Sequence, residues 1–178
     1  MSEWKAKRFW KTVEVEEGAE GFAVRLDGRA VKTPAKAELR VPSRAMAEAI
    51  AAEWEAVEEV INPEIMPFTR SANAAIDKVA VQHAEVADML AAYADADLLC
   101  YRADTPAELV ALQSEKWDPL LDWAEATFGV RLATRSGVIH TPQDPRHLAR
   151  LTSRVHGFSA FELAGFHDLV SLSGSLIL

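Results

Sequence analysis

Few residues of this chain have the type and spacing to do chemistry, and each has a quieter reading beside it. Asp95 and Asp97 form the best carboxylate pair, the arrangement a general acid and base would use, yet they close a helical segment and read more simply as a solvated turn that ends it. Cys100 follows two leucines and meets no basic neighbour before Arg102, so a buried, inert thiol is expected rather than a nucleophile. The histidines are His83, His140, His147, His156 and His167, and no two stand at the i, i+4 spacing that sets a pair of imidazoles on one helical face. No metal site is expected.

Neither a Walker A sequence nor a dinucleotide fingerprint occurs among the 8 glycines, so no nucleotide cofactor is expected. The nearest approach to a hydrolase elbow is Gly157-Phe158-Ser159-Ala160-Phe161, which lacks the second glycine and leaves Ser159 as a helix cap. The residues therefore point away from an enzyme and from a small-molecule substrate. An enzyme built on Asp95, Asp97 and a histidine stands as an alternative, and it would require a polar pocket with shifted carboxylates.

Two features suit the holding of another protein. No Lys or Arg occurs from Val79 to Tyr101, while Glu85, Asp88, Asp95 and Asp97 do. That stretch faces a basic partner or is an ordinary wet helix face, the simpler of the two readings. The aromatic residues are the second feature. Trp54 fits the apolar face of its helix, whereas Trp117 and Trp123 lie about 600° of helical rotation apart and cannot share a face. One of those two is an interface anchor or packs on a second helix.

Composition narrows the partners. The 178 residues are 49% apolar, enough for a sizeable core, and the formal net charge of -8 repels phosphate backbones and anionic lipid. No nucleic acid is expected. One cysteine cannot close an internal disulfide, and Met1-Ser2-Glu3-Trp4-Lys5 has neither a signal core nor a transit-peptide composition. With no run near the roughly 18 apolar residues of a membrane span, a cytoplasmic protein without membrane insertion is expected. The chain stops inside the apolar run Ser171 to Leu178, which reads as a C-terminal truncation.

The elements divide into a β-rich N-terminal domain over residues 1–45 and a helical domain over 46–178, an α+β fold with antiparallel strands first. Phe22, Val24 and Leu26 alternate with Ala23, Arg25 and Asp27, and Asp27-Gly28 supplies a two-residue hairpin turn. Phe9 to Glu16 precedes it as a strand, and Ala30 to Thr33 and Leu39 to Val41 follow, giving an antiparallel meander. From Ser43, which caps, Met46, Ile50, Trp54, Val57 and Ile61 repeat at helical spacing. Further helices are predicted over Thr69 to Ala80, Gln82 to Ala94, from Thr105-Pro106, from Asp144-Pro145 through Val155, and from Ser159 to about Leu172. The Thr105 helix turns Leu109, Leu112, Trp117, Leu120 and Phe128 inward, with Pro119 kinking or restarting it and Asp118 as the new cap. Residues 1–45 hold 10 Lys/Arg against 7 Asp/Glu, and residues 46–178 hold 9 against 20.

Several blocks, in order over nearly the whole chain, resemble one family, the assembly chaperones for the alpha subunit of F1-ATPase. They are Arg8-Phe-Trp-Lys11, Leu26-Asp-Gly-Arg29, Lys32-Thr-Pro34, Glu53-Trp54, Met66-Pro67, Ala75-Ile-Asp77, Asp97-Leu-Leu-Cys-Tyr-Arg102, Gln113 with Trp117-Asp-Pro-Leu-Leu121, and Ser173-Gly-Ser-Leu-Ile-Leu178. The resemblance implies a β-rich domain before a helical one, and the free F1 alpha subunit as partner, held without ATP and then handed over. It also implies further helix and acidic residues past the last block, and a mitochondrial matrix location for a eukaryotic relative. Motif density in Glu53-Trp54 and Asp97 to Arg102 adds Glu53, Trp54 and Arg102 to the acidic residues as candidate partner-binding positions, and the aromatic reading adds Trp117. An acidic adaptor for some other basic protein is the alternative.

Overall fold

The computed structural model describes residues 7–178, and the stretch Met1-Ser2-Glu3-Trp4-Lys5 read above lies outside them. Antiparallel strands come first and helices follow, as the patterning predicts. Strand β1, Val13–Gly18, pairs with β2, Gly21–Leu26, and β2 pairs with β3, Arg29–Ala30. The hairpin turn forms where expected, with Asp27 at φ 48° and Gly28 at φ 77°. Regular pairing begins at Val13 rather than Phe9, because the amides of Lys11 and Thr12 donate to the Asp27 carboxylate instead of a ladder. Those bonds hold the Asp27 carboxyl below its ordinary range.

The sheet is not a simple meander. Strand β4, Arg40–Val41, returns to pair with Phe22 and Ala23 of β2, on the strand that β3 already flanks further along. Ala23 is fully buried, against the alternation expected from sequence. Its cross-strand neighbours Glu16 and Arg40 are much longer than a side chain that ends at Cβ.

The unit that contains these strands runs to Val81, well past residue 45, and a second compact unit covers Gln82–Leu178. The reason is that helix α1, Arg44–Glu55, lays Ala47 and Ile50 against β1 and β2, so sheet and helix share one core. Ser43 caps α1 as predicted, accepting from the Met46 amide at 3.3 Å. The helix ends at Glu55, which leaves Val57 and Ile61 in the connection that follows. Helix α2, Pro67–Ala74, runs into a wider π-type turn over Ala75–Val79.

In the second unit, helix α3, His83–Ala91, packs against α5, Pro145–His156, and α6, Ala160–Ser173. Leu90, Leu121, Leu151, Val155, Leu163 and Val170 form the core. Helix α4, Ala107–Phe128, passes through Pro119 without restarting. The ring costs the bond to the Glu115 carbonyl, but both residues are exposed, so water can take it. Leu109 and Leu112 are 40% and 51% exposed rather than inward, and Leu121 and Ala124 form the buried face instead. Thr105 does not cap α4, since Pro106 occupies the cap position and no side-chain bond forms there.

Asp144 and Ser159 cap α5 and α6 as predicted, and Ser159 closes a reciprocal pair with Glu162, whose carboxylate accepts the Ser159 amide at 2.7 Å. Removing that hydroxyl exposes only local bonds. Ser159→Ala is expected to lower stability by about 1 kcal/mol in urea denaturation, with the fold kept.

Candidate functional site

The residues expected to touch a partner divide, in the structure, into those bound into the fold and those left open. Glu53 belongs to the first group. From α1 its carboxylate accepts the Phe68 amide at 2.7 Å, the Thr69 amide at 2.8 Å and the Thr69 hydroxyl at 2.7 Å, so it caps α2 from another helix. Trp54 is half-buried and stands edge-to-face on Trp10, ring centroids 5.2 Å apart.

Asp97 is fully buried, which takes it out of any surface. One carboxylate oxygen accepts the Leu99 amide at 2.9 Å, and the other accepts those of Leu176 at 2.6 Å and Ile177 at 3.2 Å. Burial pushes its carboxyl above the ordinary range, and these donors with the Ser175 hydroxyl pull against it. Burial, helped by Asp97, also raises the Cys100 thiol to about 11, consistent with an inert cysteine.

Asp95 faces elsewhere. It accepts the Gln143 amide at 2.7 Å and lies 3.1 Å from His140 Nε2, while His140 Nδ1 lies 3.3 Å from the Tyr101 hydroxyl. This chain of groups pins the segment before α5, in which buried Gln143 also bonds both backbone groups of Ala133. The two aspartates thus hold different segments and do not converge on a shared space. Asp88 pairs with His156 at 2.7 Å, and of the four acidic residues only Glu85 is exposed without a partner among the described residues. Arg102 donates to the Leu99 carbonyl at 2.6 Å and pairs with Asp118 at 2.8 Å, and its guanidinium lies 5.4 Å from the centre of the half-buried Trp117 ring. Trp123, by contrast, is 50% exposed.

What stays open is apolar. In the first unit a groove of about 940 Å³ lies between α1 and the segment Val57–Phe68 that leads into α2, lined by Ala49, Ala52, Ala56 and Met66 and by Ile65 and Phe68. Ile65 is 72% exposed and Phe68 50%. In the second unit a cleft of about 680 Å³ is lined by Trp123, Phe128, Phe158, Phe166 and Leu176. The first groove had a signal in the sequence. From Ala45 to Thr69 there are six glutamates and no Lys or Arg, a longer cation-free run than the Val79 to Tyr101 stretch.

Known proteins resemble this chain along nearly its whole length. The mitochondrial Atp12 protein of Schizosaccharomyces pombe is 28% identical over 183 residues, covering 96% of this chain, and the chain spans 63% of that relative's length. The crystal structure of Atp12 from Paracoccus denitrificans superposes with a TM-score of 0.93 at 52% identity, over 98% of this chain and 75% of that one. A solved protein of Agrobacterium tumefaciens matches at 0.88 and 42% identity, over 96% of this chain and 65% of that one. The sequence pattern of the ATP12 chaperone protein family matches residues 7–125, and with strands, helices and conserved fold in agreement the chain belongs to the ATP12 chaperone family.

Proposed function

We propose that this chain is an assembly chaperone of the F1-ATPase that binds the free alpha subunit, masks the surface that later meets a neighbouring subunit, and releases it without consuming ATP. Membership of the ATP12 chaperone family carries the reading. Its physical logic is simple. A subunit awaiting assembly exposes an apolar interface prone to self-association, and a second protein can cover that interface by shape and charge. Such masking needs exposed apolar surface on the chaperone and no catalytic group.

The grooves of both units supply that kind of surface. The work belongs in the bacterial cytoplasm, and in the mitochondrial matrix for a eukaryotic relative. Among the described residues no helix is long and apolar enough to cross a membrane.

The test is light scattering of isolated F1 alpha subunit on warming, with and without an equimolar amount of this protein and with no nucleotide present. Suppression of scattering is the expected result, unchanged when ATP is added. Scattering that proceeds as in the chaperone's absence overturns the reading. Suppression that appears only with ATP overturns its nucleotide-independent part.

A further inference from the structure

The geometry points to a defined occupant for the groove of the first unit: an amphipathic helix of a protein client that carries Lys or Arg along the edges of its apolar face. The assignment rests on the chaperone reading for the client's identity and on the groove alone for its chemistry. Three observations lead to it. The groove is apolar and open, with Ile65, Phe68 and Val60 exposed on its rim at 72%, 50% and 36%.

The wall offered by α1 and the residue that ends it is made of small side chains, Ala49, Ala52 and Ala56, at helical spacing. A second helix can approach these alanines closely, because the long side chain beside them, Glu53, is held in its capping bonds to α2. Charge is the third observation. The lining holds Glu53, Glu58 and Glu59 and no cation, with Glu64 exposed beside it.

Glu53 is committed to its capping bonds, whereas Glu58 and Glu59 pair with no cation among the described residues. Nearby, Arg8 is absorbed by Glu55 and by the carbonyls of Glu55 and Val57, and Lys7 stands opposite Val60 at the edge. An apolar floor with an acidic rim selects an apolar face with basic flanks and repels an acidic one. A lipid surface or a nucleic acid would meet the same repulsion.

A synthetic helix of leucine and lysine at amphipathic spacing, fluorescein-labelled, serves as the probe, with a twin in which every lysine is glutamate. Anisotropy is expected to show the lysine helix binding and the glutamate twin failing to bind. Reversing the rim, Glu58→Lys with Glu59→Lys, weakens binding about tenfold or more. The control Glu20→Lys with Glu108→Lys changes net charge equally outside the groove and shifts binding by less than about twofold. Ala52→Arg fills the wall while keeping helix propensity, and it abolishes binding without moving the thermal melt.

Several results would overturn the assignment: no binding of the lysine helix, equal loss from the rim and control reversals, or a dimer in sedimentation that Ala52→Arg dissolves, which would put a second copy in the groove. Full protection of F1 alpha subunit by the Ala52→Arg protein overturns it as well. If the wild-type protein fails to protect F1 alpha but binds the lysine helix through this groove, the groove assignment stands and the alpha-subunit reading falls.

Discussion

Asp97→Ala is expected to cost about 3–5 kcal/mol of stability and to release the segment Ser175–Leu178, because the buried Leu99 and Leu176 amides lose their acceptor at once and the Ile177 amide keeps only the Ser175 hydroxyl. Each unsatisfied buried N–H costs roughly 1–3 kcal/mol, and the sum is reduced where water enters the space that the carboxylate leaves. Asp97→Asn restores the shape but only half of the function. An amide has one acceptor oxygen, so its NH2 must face either the Leu99 amide or those of Leu176 and Ile177, donor against donor. Urea denaturation gives the total cost, and hydrogen exchange at the Leu176 and Ile177 amides gives the local part. Unaltered exchange there would show that Asp97 does not hold this segment.

The same residue makes a prediction about pH. A carboxyl raised by burial binds its proton more tightly in the folded state than in the unfolded one. Its contribution is therefore fully present below the ordinary carboxylate range and declines as pH rises through the raised value. Asn does not titrate. The stability advantage of wild type over Asp97→Asn accordingly narrows from acid to neutral pH, opposite in sign to the effect of Asp27 and Asp144, whose bonds to N–H groups and to Arg146 depress them.

What the sequence made legible were features settled within a few residues. The Asp27-Gly28 turn, the Ser43, Asp144 and Ser159 caps, and the order of strands before helices all follow from local backbone chemistry. Roles decided by distant parts of the chain were hidden. Asp97 reads as a helix stop or a surface charge, since its main partners lie 79 and 80 positions away. Glu53 likewise reads as a surface charge until α2 folds back onto it.

The reach of the first unit to Val81 was hidden for the same reason, because only packing reveals that α1 and the strands share a core. The groove of the first unit was legible in principle. Six glutamates without a cation, over alanines at helical spacing, describe an acidic-edged groove once α1 and the Val57–Phe68 connection face each other.

Arg102 offers the second large effect, and it gives a physical reason for the Asp97 to Arg102 block. Its side chain is only 11% exposed, and its guanidinium serves three neighbours at once: the Leu99 carbonyl, the Asp118 carboxylate and the Trp117 ring. Arg102→Ala is expected to cost about 2–3 kcal/mol, the sum of a lost charge-assisted bond, a lost stack and a vacated stem. Arg102→Lys keeps the charge yet recovers less than half of this, since a single ammonium cannot reach a carbonyl and a carboxylate while lying flat on an indole. Asp118 is 42% exposed, so its attraction for Arg102 is partly screened, and Asp118→Ala costs less, about 1–2 kcal/mol. The two alanine variants share one interaction and should not add. Their combination is expected to be about 1 kcal/mol less damaging than the sum of the singles in urea denaturation. Strict additivity would mean that the pair contributes nothing, and that Arg102 acts through Leu99 and Trp117 alone.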